Sequence, residues 1–197
     1  MDIIPGDGLA QDASGNTSLR AAIMEANAFA GADDITLPAG TFTLSIVGTW
    51  EDAGASGDLD ILDDLMITGA GQGQTIIDGA SIDRVLDVPL PVSGTTQVTI
   101  RDLDITGGRA IGSNAMIVED WGGGLRMDFF TKVDLERVTL IDNAAPREVS
   151  GSIFGFGGAI SSTGTLSISA SRIENNSASN SGGAIHASTS GASTTID

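Results

Sequence analysis

One eight-residue pattern occurs three times in the second half of this chain, and it restricts the fold more than any other feature. Val98-Thr99-Ile100-Arg101-Asp102-Leu103-Asp104-Ile105 matches Val133-Asp134-Leu135-Glu136-Arg137-Val138-Thr139-Leu140, and matches again at Leu166-Ser167-Ile168-Ser169-Ala170-Ser171-Arg172-Ile173. A turn follows each copy: Gly107-Gly108, Asp142-Asn143, Asn175-Asn176. Glycine-led strands accompany them at Gly122-Gly123-Gly124-Leu125, Gly157-Gly158-Ala159-Ile160 and Gly182-Gly183-Ala184-Ile185. The long strands are spaced by 35 and then 33 residues, the glycine strands by 35 and then 25. Constant strands with variable spacing confine insertions to loops, as in a stack of coils. Each strand would lie parallel on its copy about 4.8 Å away.

The inward positions would then form aliphatic ladders: Val98, Val133 and Leu166; Ile100, Leu135 and Ile168; Ile105, Leu140 and Ile173. Asn143 above Asn176 would make an amide ladder that satisfies backbone groups at the turn. On the outer face Arg101 falls beside Glu136 and Asp102 beside Arg137, which reads as exposed ion pairs that mark the register.

Upstream the pattern is different. Residues 17–30 carry Leu19, Ala22, Ile23 and Ala26 at i, i+3, i+4 and i+7, one apolar stripe of a helix. Thr17 or Ser18 can cap its start and Gly31 its end. From Asp34 the period is two: Ile35 and Leu37, a Pro38-Ala39-Gly40 turn, then Phe42 and Leu44. Short apolar segments follow at 59–61, 65–68 and 75–79. A stack of strands has two open edges, and the helix is suited to cover the first. We therefore expect one β-helix domain over 1–197, with an N-terminal cap at 1–33 and coils at 34–197. The chain stops at 193–197 where the next long strand should begin, so the expectation is a C-terminally truncated solenoid with an open edge.

Charge and composition exclude several partners. The net charge is −17, from 26 acidic and 9 basic residues, and Lys132 is the only lysine. Phosphate binding needs a basic patch, so nucleic acid is not expected. No apolar run approaches the roughly 20 residues of a membrane span, so no membrane insertion is expected. The chain has no Cys, hence no disulfide and no thiolate metal site. Met1-Asp2-Ile3-Ile4-Pro5 carries no signal-peptide pattern, so an export signal lies outside this sequence if the protein is secreted.

Thr17-Ser18-Leu19-Arg20-Ala21-Ala22-Ile23-Met24-Glu25-Ala26-Asn27 resembles the C-S-L-R-E-A-I-x-E-A-N signature that opens many bacterial right-handed parallel β-helix proteins. Asp34 to Phe42, Gly57-Asp58-Leu59-Asp60-Ile61, Thr75 to Gly79 and the repeated G-G-A-I and N-x-A pieces continue the resemblance in order, over nearly the whole chain. Thr17 stands where the signature has Cys and Ala21 where it has Glu, so a disulfide or ion pair made by those residues in relatives is lost here. The resemblance implies a pectin-lyase-like fold and a large secreted or cell-surface bacterial protein. It does not imply lyase activity, because fold and function are separable.

A polysaccharide lyase would need a Ca²⁺-binding carboxylate group beside an Arg or Lys base; a hydrolase would need two or three aspartates clustered on adjacent coils. Asp58 and Asp60, two apart, share one face of a strand and are followed by Asp63 and Asp64. Asp78 and Asp83 lie near Arg84, and Asp102 and Asp104 share a face beside Arg101. None of these sets recurs through three coils, so no catalytic residue is assigned and the reading leans away from an enzyme. Hard cations want several oxygen ligands, and Asp58, Asp60, Asp63 and Asp64 are the set that would offer them to Ca²⁺; no cofactor is required. The competing use of such aspartates is to bond backbone amides at turns. His186, the sole His, follows a glycine-led strand and reads as an outward surface residue.

Two insertions, 109–121 and 146–156, occur at equivalent points of consecutive coils and should leave from one corner and touch. They hold Trp121, Phe154 and Phe156, the candidate ligand contacts. The alternative is that they fold down as a side cap. Together these features point to a structural or adhesive module that binds a glycan or a surface protein through its loops. Two alternatives remain: a fragment of a polysaccharide lyase or hydrolase, and a solenoid that self-associates end to end through its open C-terminal edge.

Overall fold

The computed structural model describes residues 1–48, 51–110, 121–146, 155–188 and 193–196. It is all-β, about 42% strand, with parallel sheets arranged as a β-solenoid of about 4 turns and one N-terminal helix.

Each coil contributes strands to stacks that run the length of the solenoid. The first stack joins β1 (Asp33–Thr36), β4 (Leu65–Thr68), β7 (Thr96–Thr106), β9 (Thr131–Ile141), β12 (Thr165–Ser169) and β16 (Ser193–Ile196). The second joins β2 (Gly40–Thr43), β5 (Thr75–Asp78), the far halves of β7 and β9, and β13 (Arg172–Glu174). A short third stack pairs β10 (Ala144–Ala145) with β14 (Ser177–Ala178). The fourth holds β3 (Leu59–Asp60), β6 (Leu86–Val88), β8 (Leu125–Met127), β11 (Ile160–Ser162) and β15 (Ile185–Ala187).

The three repeated strands pair in the expected register. Val98 faces Val133, and Leu166 faces it from the other side; Ile100, Leu135 and Ile168 align, as do Ile105, Leu140 and Ile173. The ladders continue into earlier coils through Leu65, Ile67 and Ile77. One buried cluster runs from Leu19 on the helix to Ile168. Because the side-chain period of a strand is two, a slip of one residue would turn these aliphatic groups out to water.

The turn after the second stack carries the amide ladder. Asn143 Oδ1 accepts from the Gly108 amide at 3.0 Å, and Asn143 Nδ2 donates to Ile105 O at 3.0 Å and to Asn176 Oδ1 at 3.0 Å. Asn176 Nδ2 donates to Leu140 O at 2.9 Å. The expected ion pairs are only half present. Arg137 grips Asp102 at 2.6 Å, but Arg101 donates to Thr68 Oγ1 of the preceding coil at 3.0 Å. Glu136 pairs instead with its neighbour Arg137.

The helix is shorter than 17–30. α1 spans Leu19–Ala28, with Ser18 as N-cap accepting from the Ala21 amide. Phe29 ends it in an extended conformation, so Gly31, at φ +116, lies beyond the stop rather than making it. The buried set also differs from a single stripe: Ala21 is enclosed in place of Ala22, together with the polar Arg20 and Glu25. Neighbouring backbone explains this. Glu25 accepts the Gly6 and Gly8 amides at 2.6 and 2.5 Å on one side, while Arg20 reaches the 54–58 segment on the other. Asn27 acts as a surrogate strand, donating to Asp60 O at 2.8 Å and accepting from Leu62 N at 2.9 Å, so that it covers the backbone next to β3.

Candidate functional site

The fourth stack concentrates the chemistry-bearing side chains. Leu59, Leu86, Leu125 and Ile160 point into the core at essentially zero exposure. The next residue of each strand lies on the opposite side of the sheet, and the register aligns Asp60, Asp87, Arg126, Ser161 and His186 in one column. The column begins acidic and ends beside aromatic rings.

At the acidic end, Asp87 and Arg126 make a two-pronged ion pair at 2.7 and 2.8 Å. Asp58, immediately before β3, pairs with Arg84 at 2.6 Å, both nearly fully enclosed. Asp60 is 0% exposed; its Oδ2 accepts from the Gly54 amide at 2.7 Å, and its Oδ1 has no hydrogen-bond partner. Burial pushes the Asp58 carboxyl up to about 7, against the opposing pull of Arg84. Burial, with the Asp58 and Asp87 charges, pushes Asp60 up to about 8. Burial works against the Arg84 charge, but the carboxylates of Asp87, Asp58 and Asp83 outweigh it and hold the guanidinium protonated. Arg20 closes the layer from the helix side. Its guanidinium donates to the carbonyls of Gly54, Gly57 and Asp58 at 2.7, 2.5 and 2.6 Å.

The four aspartates expected to gather around Ca²⁺ are divided between two places. Asp58 and Asp60 belong to the fourth stack. Asp63 accepts from the Gly31 amide at 3.2 Å and the Asp64 amide at 2.8 Å, while Asp64 accepts from the Gln97 amide at 2.7 Å. Asp63 and Asp64 thus tie the turn before β4 to neighbouring backbone. The residues that do approach Asp60 are Asp52 and Asp87, with one oxygen from each of the three within 4.8 Å of the others. Neither was singled out from the sequence. The signal was there for Asp87, because Leu86-Asp87-Val88 repeats the alternation of Leu59-Asp60-Ile61. Asp52 sits in an irregular stretch with no period to read.

At the other end, the two insertions begin and end at matched positions. Arg109 bridges Ala144 at their start and Trp121 bridges Phe156 at their return. The interiors, and with them Phe154, lie outside the described residues. The Trp121 and Phe156 rings meet edge to face at 5.4 Å, and His186 stacks on Phe156 at 4.4 Å. His186 is therefore half-buried against an aromatic ring, and burial lowers its pKa from the ordinary value. Trp121 Nε1 is buried without a hydrogen-bond partner. Beside Trp121 runs a groove of about 180 Å³, lined also by Arg126, Asp128, Phe129, Ser161 and Thr163. Arg84 links the two ends of the stack by donating to the Trp121 carbonyl at 2.7 Å.

Among the described residues no helix is long and apolar enough to cross a membrane. Compared with family models, curated proteins and solved structures, the chain matches none.

Proposed function

We propose that the chain is a structural and adhesive module of a secreted or cell-surface bacterial protein, binding a glycan in the groove beside Trp121. The observation that carries this reading is the juxtaposition of half-buried aromatic rings, on successive coils, with a small, mostly apolar groove that also carries polar side chains. A sugar presents a C–H face that packs on an aromatic ring and a rim of hydroxyls that need polar partners. Trp121 and Phe129 supply the first, while Arg126, Asp128, Ser161 and Thr163 supply the second. The bacterial and extracellular part of the reading rests on the resemblance of residues 17–27 and the blocks that follow.

A second reading, a polysaccharide-active β-helix, has one observation in its favour: Asp60 and Asp87 lie on adjacent coils with Asp52 nearby. Against it, Asp60 and Asp87 are 0% and 3% exposed, so a substrate cannot reach them while the 51–58 segment is in place.

A glycan array with the full chain, followed by titration of each hit, tests both. Trp121→Ala is expected to weaken binding at least about tenfold, roughly 1.4 kcal/mol. An array without hits, hits indifferent to Trp121→Ala, or capture of a protein partner in their place overturns the glycan reading. Release of reducing ends or unsaturated sugars from a polysaccharide panel establishes the enzymatic one.

A further inference from the structure

The acidic end of the fourth stack holds more negative charge than its arginines neutralise. Arg126 takes Asp87 and Arg84 takes Asp58, while Arg20 donates to backbone carbonyls. Asp52 and Asp60 have no ion pair among the described residues. Asp60 is the more exacting case, because it is wholly enclosed and its Oδ1 has no partner. A buried carboxylate oxygen left in this state is costly unless a proton or a cation meets it. Asp52 and Asp87 each bring an oxygen within 4.8 Å of an Asp60 oxygen.

Oxygens bound to one ion at 2.3–2.6 Å can be at most about 4.6–5.2 Å apart, which is the span for Ca²⁺. Ca²⁺ accepts irregular geometry and a variable number of oxygens, whereas Mg²⁺ demands a near-ideal octahedron that three carboxylates from separate pieces of chain do not impose. The three oxygens come from three pieces of chain: the segment over the coil, strand β3 and strand β6. We propose that Asp52, Asp60 and Asp87 bind a hard divalent cation, Ca²⁺, which pins the 51–58 segment to the outside of the first two coils. Water completes the coordination shell, since Ca²⁺ takes six to eight oxygens. The site meets the groove at Trp121 only through Arg126, which pairs with Asp87 and lines the groove; Asp52→Asn leaves that pair in place, so its effect on Ca²⁺ is read apart from any effect on glycan binding.

The test uses the full chain after dialysis against EDTA, in about 0.15 M salt to screen diffuse binding to an acidic surface. Calorimetry with CaCl₂ is expected to give one equivalent with Kd near the roughly 10⁻⁴–10⁻³ M of extracellular modules. At ten times Kd, Tm should rise by roughly 3–6 °C. Asp52→Asn, at an exposed residue, should weaken binding at least about tenfold and leave the Ca²⁺-free Tm unchanged. Asp60→Asn should abolish the Ca²⁺ response and leave the Ca²⁺-free Tm equal or higher, since the amide keeps an oxygen for the Gly54 N–H and places no ionisable carboxyl in the buried site. Asp63→Asn should leave the response intact. No heat and no Tm shift with Ca²⁺, or an undiminished response in Asp52→Asn, overturns the proposal. So does loss of the response in Asp63→Asn, or Mg²⁺ binding as tightly as Ca²⁺. If Asp60→Asn fails to fold, Asp52→Asn decides.

Discussion

Asp102, Arg137 and Ala170 stand one above another where each coil bends from its first strand into its second, with φ of 59, 53 and 48°. This is left-handed backbone, which costs a residue with a Cβ about 1–2 kcal/mol. Asp102 and Arg137 offset part of that cost by pairing with each other across the coils. Their contact holds the Asp102 carboxyl below its usual range, through the hydrogen bond from Arg137. Ala170 is exposed and has only a methyl group to offer. Ala170→Gly should therefore stabilise the protein, against the usual direction of that change. Relief of about 1–2 kcal/mol of strain outweighs about 0.5–1 kcal/mol of added chain entropy, for a net gain near 0.5 kcal/mol. Urea unfolding measures it, and a clear loss of stability in the variant would refute the strain argument.

At the scale of elements, the helix α1 is fastened by polar side chains as much as by its apolar ones. Arg20 holds the 54–58 segment by its carbonyls, Glu25 holds the Gly6 and Gly8 amides, and Asn27 covers the backbone on either side of Ile61. These are the R, E and N of the resemblance to the capping signature, and each satisfies backbone groups that no strand neighbour reaches. A guanidinium presents a planar fork that an ammonium cannot reproduce. Arg20→Lys is thus expected to leave buried carbonyls unpaired and cost about 1–3 kcal/mol. The measurement is chemical unfolding together with hydrogen exchange of the 51–58 amides, which should accelerate. A variant as stable and as protected as the parent would show that the carbonyl cluster is incidental.

At the scale of the whole molecule, the solenoid is held by contacts between successive coils. Ile67, Ile100, Leu135 and Ile168 form one such column, all at 2% exposure or less. Each side chain packs against the coil above and the coil below, so stability is close to a sum of neighbour terms. Ile100→Ala opens a cavity between two coils and should cost about 2–5 kcal/mol. Urea unfolding checks this, and a loss under 1 kcal/mol would mean that the column collapses to fill the gap. The charge of −17 sits outside this core and sets solubility and cation attraction, not the fold.

The repeats at 98–105, 133–140 and 166–173 determined the stacking direction, the register and the Asn143–Asn176 ladder without any structure. That was legible because side-chain alternation and coil spacing are both local properties of the chain. β6 was only partly legible: Leu86-Asp87-Val88 repeats the alternation of Leu59-Asp60-Ile61, but it lacks the glycine lead-in of its successors. The sequence put Asp58, Asp60, Asp63 and Asp64 together because they are neighbours along the chain. Tertiary structure separated them, since Asp63 and Asp64 fall in a turn with free amides to bind. It brought Asp52 and Asp87 to Asp60, and His186 to Phe156, across coils and an irregular segment. Spacing along one strand says which residues share a face. Only the winding of the coils decides which residue of the next coil, or of an overlying segment, comes to lie against them.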